Sequence, residues 1–539
     1  MKTPTIVYMP SLLLSTCLVF SSLTCIVLAQ QHQSPHKFLK CVQSHNSESI
    51  SQVIYTKNNS SYLSNLLFSI QNIRFISPSM PRPVFIITPF TESQIQAVVL
   101  CSKASGLQVR VRCGGHDYEG LSYSSNVPFV IIDLRYLSSI KIDAEKRVAW
   151  VEGGALLGNL SYQIAKRTGN LAYPNGLCPT VGVGGHFSGG GYGTLLRKYG
   201  LAADNVLDAR IINANGEILD RKSMGEDFFW AIRGGGAASF GVVTAWKIRL
   251  VQVPDIVTVF TVNRTLEQNA TGLVHRWQYV ADKFDRDLFV RILITRVNSS
   301  DHNGKTTIQA AFNSIYLGKI DRLLPLMHES FPELGLVKED CMEKRWIEAV
   351  LYFSDLPYGS TVDDLTNRNP NPRTYYKAKS DFVQVPIPKH GLEGLWKFFD
   401  EDDAADAQLI FAPYGGRMSE IPESEIPFPH RAGNIYEIQH LVYWDEERNH
   451  EAERYINWIR RLYEYVTPFV SKNPRAAYLN YRDLDLGVNN EGNNTSYEEA
   501  NVWGTKYFKN NFKRLVEVKS KVDPSNFFRN EQSIPTGSS

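Results

Sequence analysis

Two short segments concentrate the residues able to do chemistry. Arg112-Cys-Gly-Gly-His-Asp-Tyr-Glu-Gly120 sets His116 inside a glycine loop. Gly176-Leu-Cys-Pro-Thr-Val-Gly-Val-Gly-Gly-His-Phe-Ser-Gly-Gly-Gly-Tyr-Gly193 does the same for Cys178 and, eight residues later, for His186. Dense glycine lets backbone amides approach a ligand closely and point at an anion such as a pyrophosphate. Arg233-Gly-Gly-Gly236 offers a further run of the same kind. A histidine and a cysteine held in such loops can reach a bound molecule without crowding. The same residue types ligate metals, but these spacings match no common zinc pattern and no His-Glu-x-x-His occurs, so no metal is expected. The Rossmann-type glycine spacing is not cleanly present, and there is no P-loop. On composition alone the glycine runs remain open to a reading as turns, and Cys178 to one as a buried thiol or disulfide partner.

These loops need a frame. From Ser79 to about Val251, short β-branched runs alternate with helical segments. The patterns predict strands at Val84–Thr88, Leu107–Arg112, Pro128–Asp133 and Val148–Glu152, and helices over Ser93–Ser105 and Ala155–Thr168. Such alternation suggests an α+β or α/β domain. The glycine-rich character stops near Val251-Gln-Val-Pro254. Beyond it, Leu288–Thr295 and Thr307–Leu317 read as strands and helices follow. A sheet with helices on one side, roofing the first domain, fits this texture up to about Arg475. The end of the chain, Tyr478 to Pro535, is polar and aromatic, with a helix expected near Tyr497 to Lys521. There are no internal repeats.

The remaining composition limits the classes of function. In 539 residues, 43% hydrophobic and 21% charged, there is ample chain for a large core. A net charge of +2 gives no argument for a nucleic-acid partner or an anionic membrane surface. Lys2, the apolar run Ser11 to Leu28 and the small residue Ala29 read as a cleaved secretory signal over residues 1–29, with no membrane association after cleavage. Glycosylation sequons at Asn59, Asn159, Asn263, Asn269, Asn298 and Asn494 agree with the secretory pathway, ending in the extracellular space (apoplast) or a vacuole. Outside the leader stand Cys41, Cys101, Cys113, Cys178 and Cys341, an odd number for an oxidising compartment, so at least one is unpaired or otherwise employed.

With these segments on view, the chain resembles the berberine-bridge-enzyme-like FAD-linked oxidases of plants, and within them the cannabinoid-acid synthases. The resemblance is carried by Gly114-Gly-His-Asp117, Gly176 to Gly193, Lys222 to Gly236, Pro427-Phe-Pro-His-Arg-Ala-Gly433, Tyr478-Leu-Asn-Tyr-Arg-Asp-Leu-Asp-Leu-Gly487 and Val522 to Pro535. It runs from about Phe38 to Pro535. It implies an α+β fold: an FAD-binding domain of the PCMH, or vanillyl-alcohol-oxidase, type over residues 38–251 (core about 79–251), a substrate domain of antiparallel sheet and helices over 252–477, and a tail, 478–539, that returns to the FAD domain.

The resemblance also implies roles. His116 stands where the family bonds the flavin 8α carbon and Cys178 where it bonds C6, giving a bicovalent FAD of raised potential. Gly114, Gly115, Gly182, Gly184 and Gly185 would shape the cofactor site. His186 matches a histidine near the ribityl chain. Cys41 and Cys101 match the family's disulfide. Cys113 departs from the more usual serine and has no assigned role. Val181 matches the position that gates oxygen, where small residues go with oxidases and leucine with dehydrogenases. Tyr481 matches the catalytic tyrosine of the cannabinoid-acid synthases. As a neutral phenol it would be a poor base, so its pKa is expected to be lowered by its surroundings. Glu437 matches the catalytic glutamate of berberine bridge enzyme. Tyr118, Tyr414 and Gln439 are expected in the substrate pocket. Arg291 is a further pocket candidate for a carboxylate or phenolate, with a solvated arginine as the plainer expectation. Gln439-His440 departs from the aromatic pair more usual after this glutamate.

The expected activity is that of a monomeric secreted oxidase of specialised metabolism. It takes a hydride from a prenylated or benzylic carbon of a small phenolic substrate, with Tyr481 or Glu437 taking a proton and dioxygen (O2) reoxidising the flavin. A carbohydrate or monolignol oxidase is the second reading, weakened because such members often carry lysine where Glu437 stands. A flavin-containing cyclase without net redox change is the third, and a binding or defence protein the fourth.

Overall fold

The computed structural model describes residues 35–45, 50–77, 80–299, 304–368, 373–404, 406–490 and 495–537. The expected leader and the sequon at Asn494 lie outside the described residues.

Phe85–Ile87 and Gln108–Arg112 each pair in parallel with Phe129–Asp133. The runs Phe-Ile-Ile and Phe-Val-Ile-Ile-Asp are buried at every position, as strands covered on both faces must be. The crossover helix, Glu92–Ala104, starts where the Thr91 side chain accepts a bond from the Gln94 amide. Cys101 of this helix is disulfide-bonded to Cys41, with Cα atoms 5.6 Å apart. An antiparallel sheet follows, ordered Ile140–Asp143, Val148–Glu152, Val242–Arg249, Val206–Ile212 and Ile218–Leu219. Leu157, Leu160 and Ile164, spaced as one face of the helix Leu157–Thr168, pack onto it.

The tail packs into this same core through Trp503, Tyr507, Phe512 and Leu515. Instead of one helix it forms two, Tyr497–Phe508 and Asn511–Val522. Lys509 takes φ 45°, which ends the first, and the Phe512 ring then folds back against Gly504, where a Cβ would lie 2.4 Å from it.

Seven antiparallel strands make the largest sheet, ordered Cys341–Arg345, Ile256–Thr265, Thr306–Tyr316, Leu288–Asn298, Ala407–Pro413, Tyr436–Trp444 and Tyr375–Val383. Strand periodicity divides its residues. Val290, Ile292 and Ile294 point into a core closed by the helices Ala270–Trp277, Lys389–Phe399 and Ala452–Val466. The alternate residues, Phe289, Arg291 and Leu293, line a cavity on the other face, as do Gln439, Leu441 and Tyr443. These three helices cover one face of the sheet; the other looks toward the glycine loops, and the helix Trp346–Tyr352 packs on it at one edge against Val257, Val259 and Phe289.

Asn59, Asn263, Asn269 and Asn298 are exposed, whereas Asn159 is half-buried on its helix. Among the described residues no helix is long and apolar enough to cross a membrane.

Candidate active site

The glycine loops cross at Gly114 and Gly182. A Cβ on Gly114 would lie 2.4 Å from the Gly182 nitrogen, and one on Gly182 would lie 2.1 Å from Cys113 Sγ. Any side chain at either position forces the loops apart. The first loop leaves its strand at Arg112, whose buried guanidinium is held by Asp133 at 2.6 Å and by the Leu66 carbonyl at 2.6 Å. The crossing sets His116 beside Cys178, with Thr180 between them. Thr180 Oγ1 lies 2.9 Å from His116 Nε2 and 3.6 Å from Cys178 Sγ.

Burial sets the charge states on this wall. It pulls the His116 pKa down to about 4, against a smaller upward pull from the Thr180 backbone. It also pulls His186 down to about 3. Both rings are neutral at physiological pH. The Gly176 N–H donates to His186 Nε2 at 2.9 Å, so the ring proton of His186 belongs on Nδ1. The Cys178 side chain is open to the cavity but enclosed by its walls. Burial pushes its thiol up, opposed by hydrogen bonds from the Thr180 side chain and from the Thr180 and Val181 amides.

The cavity, about 770 Å³, lies between the loops and the seven-stranded sheet. Tyr481 and Tyr192 meet in it hydroxyl to hydroxyl at 2.6 Å. The Tyr118 ring stacks on Tyr481 with centroids 5.5 Å apart, and its hydroxyl accepts a 2.6 Å bond from the Gln439 amide. A buried charge cluster anchors this stack from behind. Lys377 bonds both Glu119, next to Tyr118, and Asp483, two residues beyond Tyr481. Lys379 binds Asp483 at 2.6 Å and Asp485 at 2.8 Å. Arg291 Nε donates to Asn313 at 2.8 Å, its direct partner across the strands.

Residues 83–221 match the family model described as "FAD binding domain", and residues 477–535 match that described as "Berberine and berberine like". The tetrahydroberberine oxidase of Berberis wilsoniae is 51% identical over 98% of this chain and 99% of its own. Cannabidiolic acid synthase-like 1 of Cannabis sativa is 49% identical over 92% of this chain and 93% of its own. The chain belongs to the berberine bridge enzyme-like family. This berberine bridge enzyme-like protein is an FAD-linked oxidoreductase with the α+β, PCMH-type fold. Wild-type Phl p 4, a glucose dehydrogenase, superposes with a TM-score of 0.88 at 42% identity, covering 93% of this chain and 100% of that one.

The residues of the berberine bridge enzyme-like protein fit FAD. Arg110 reaches the cavity wall buried, with Nη2 on Glu531 and with Nε and Nη1 unpartnered, as an anionic ligand requires. At Gly185 a Cβ would meet nothing within 4 Å, so the missing side chain leaves room. Neutral His186 adds an Nδ1–H donor for a polar chain.

His116, Cys178, His186, Val181, Gly114, Gly115, Gly182, Gly184 and Gly185 all line the cavity, as do Tyr481, Tyr118, Gln439 and Arg291. From the Arg233 run only Gly236 does.

Three expectations need correction. Glu437 and Tyr414 do not line the cavity: both are fully buried, among Phe382, Phe428 and Tyr478. The Tyr414 hydroxyl donates to Glu437 Oε2 at 3.4 Å, Oε1 has no partner, and burial holds the carboxyl well above its usual range. The Tyr481 pKa is raised, not lowered, by burial first and then by Tyr192, Tyr118 and Glu437. Arg291 is not solvated: the strand turns it inward and its guanidinium lies 5.3 Å from the centre of the Phe353 ring.

Two residues had no role from sequence. Tyr192 lies in the segment Gly176 to Gly193, where a tyrosine among glycines is the available signal. Thr180 had only its place between Cys178 and Val181.

Proposed function

We propose that this protein is a secreted monomeric oxidase of specialised metabolism that holds FAD through two bonds, at His116 and Cys178. It removes two hydrogens from a prenylated or benzylic phenolic compound and reduces dioxygen to hydrogen peroxide. The observation that carries this reading is one cavity with His116 and Cys178 on its glycine wall and the Tyr192–Tyr481 pair opposite Arg291. Residues 38–251 with 478–539 form the flavin domain, and 252–477 the substrate domain.

Bound FAD supplies the acceptor for the hydride that leaves the substrate carbon. The chain does the rest. Phe289, Phe353, Tyr118 and Tyr376 give a phenolic ring apolar faces to lie on. Arg291 receives its phenolate or carboxylate. The Tyr192–Tyr481 pair takes the substrate proton as a unit, since two phenols 2.6 Å apart share their protons. His186 donates from Nδ1 to the cofactor's polar chain. Cyclisation or diene formation follows from the electron-poor substrate.

Val181 supports dioxygen as acceptor. Wild-type Phl p 4 is a glucose dehydrogenase, and its variants in which one isoleucine becomes valine are glucose oxidases. A second varied position, asparagine to histidine, lies five residues beyond that valine, and here His186 lies five beyond Val181. Secretion is supported by the Cys41–Cys101 disulfide and the exposed sequon asparagines.

A carbohydrate or monolignol substrate is the second reading, favoured by the Asn313, Gln408 and Gln439 amides in the cavity. Anaerobic mixing with prenylated phenols, benzylisoquinolines, monolignols and sugars separates these. Bleaching of the flavin by prenylated or benzylic phenols, reversed by air with peroxide formed, is the expected result. Bleaching by sugars alone replaces the substrate class. Conversion of a prenylated phenol without bleaching replaces the oxidase by a redox-neutral cyclase.

A further inference from the structure

We infer that Thr180 prepares both flavin attachment points together: its hydroxyl accepts the Nε2–H of His116 and donates its own proton to Cys178 Sγ, leaving His116 Nδ1 with its lone pair free. This rests on the reading of His116 and Cys178 as the attachment residues. The geometry is direct, with Oγ1 at 2.9 Å from Nε2 and 3.6 Å from Sγ. Nδ1 has no side-chain hydrogen-bond partner among the described residues, and His116 lines the cavity.

The direction of the two bonds follows from proton counting. A hydroxyl has one proton to give. A neutral histidine has one ring proton, on one nitrogen or the other. If Thr180 donated to Nε2, the ring proton would sit on Nδ1 and block it as a nucleophile, and the sulfur would lose its donor. The opposite arrangement frees Nδ1 and turns a donor toward the sulfur, where it favours the nucleophilic thiolate. One hydroxyl therefore favours the reactive form of both residues, with the Thr180 backbone adding its own hydrogen bond to the His116 ring. Thr180 is held for this: it is buried, and its carbonyl lies at the loop crossing, where a Cβ on Gly114 would come within 2.6 Å of it.

Each attachment is an oxidative substitution. The residue gives up one hydrogen, the isoalloxazine gives up one from its 8α or C6 carbon, and a carbon–nitrogen or carbon–sulfur bond forms. The two hydrogens and their electrons pass to dioxygen, giving one hydrogen peroxide per bond. Thr180 is a positioning residue in this process, since it acts through His116 and Cys178.

The test uses the full chain as wild type, Thr180→Ser, Thr180→Val and Thr180→Ala. Each is denatured in acid, flavin retained is read by intact mass, and peptide mapping locates it on the His116 and Cys178 peptides. Wild type and Thr180→Ser should be doubly bonded. Thr180→Val and Thr180→Ala should lose the doubly bonded species at least ~10-fold, the change in donor strength at stake when a charged group loses a hydrogen bond. Rescue by serine separates the hydroxyl from packing, because Thr180→Ala and Thr180→Ser remove the same methyl. If the valine variant does not fold, as judged by its thermal transition, the alanine and serine pair decides. Double bonding in a hydroxyl-free variant equal to wild type overturns the role of Thr180. A wild type that lacks either bond overturns the attachment reading itself, so the two failures are told apart.

Discussion

The hydroxyls of Tyr192 and Tyr481 stand 2.6 Å apart, and burial holds both phenols well above their ordinary pKa. At neutral pH the pair keeps both protons, and the form able to take another is scarce. Below the pair's pKa that form grows about tenfold per pH unit. The rate of flavin reduction should therefore climb across about pH 6–9 without a plateau. Tyr192→Phe and Tyr481→Phe should each lower it by about 10²-fold or more, and the double variant should be no worse than either single one. Stopped-flow bleaching across pH checks this. Additive losses would show that the two tyrosines act separately.

Glu437 offers the competing base, and its environment argues against it. Burial raises the pKa of its carboxyl, which favours the neutral, hydrogen-bonding acid over the carboxylate a base requires. Glu437→Gln keeps the shape of the neutral acid, and should change the reduction rate by less than about threefold, within the cost of one altered neutral hydrogen bond. A loss comparable with that of Tyr481→Phe would return the role of base to Glu437.

Why sequence reached some of these residues and not others is a matter of range. The residues of the glycine loops were legible because their constraint is local: Gly114 and Gly182 must be bare for the loops to cross. Arg291 was misjudged because a charged residue on a strand is solvated by default. Its neighbours held the correction, since Val290, Ile292 and Ile294 fill the core and leave the other face to Arg291. What encloses that face is a set of loops more than a hundred residues away, which no pattern local to Arg291 shows. Glu437 and Gln439 share a strand face, yet only Gln439 lines the cavity, because Tyr414 and Tyr478 pack into the cluster at the Glu437 end. Tyr192 and Tyr481 are 289 residues apart, and no local pattern pairs them. Sequence periodicity runs through the break between the tail's two helices because Lys509, an ordinary helix former, carries no turn signal.

Among the described residues Arg291 makes no ion pair; burial works against its charge, while Tyr192, Tyr481, Asp355 and Tyr352 act to support it. A buried guanidinium so placed favours an anionic ligand. Benzoate should perturb the flavin spectrum of the wild type, and Arg291→Gln should weaken its binding at least ~10-fold, the usual worth of a hydrogen bond to a charged group. Benzyl alcohol, the neutral counterpart, should be nearly indifferent to the change. Equal loss for both ligands would mean that Arg291 shapes the pocket instead of reading charge.

His186 carries a cost in acid that can be measured without substrate. Its pKa is near 3 in the fold and near the model-peptide value of about 6.5 when unfolded. A histidine whose folded pKa is depressed gives stability that is complete above about pH 6.5 and is lost as pH falls toward 3. The total at stake is on the order of 5 kcal/mol at most. Asparagine does not titrate, so the wild type should lead His186→Asn in urea midpoint at pH 7 by a margin that shrinks steadily toward pH 4. A margin independent of pH would mean that His186 takes up protons equally in the folded and unfolded chain, and the neutral Nδ1–H donor assigned to it would have no physical basis.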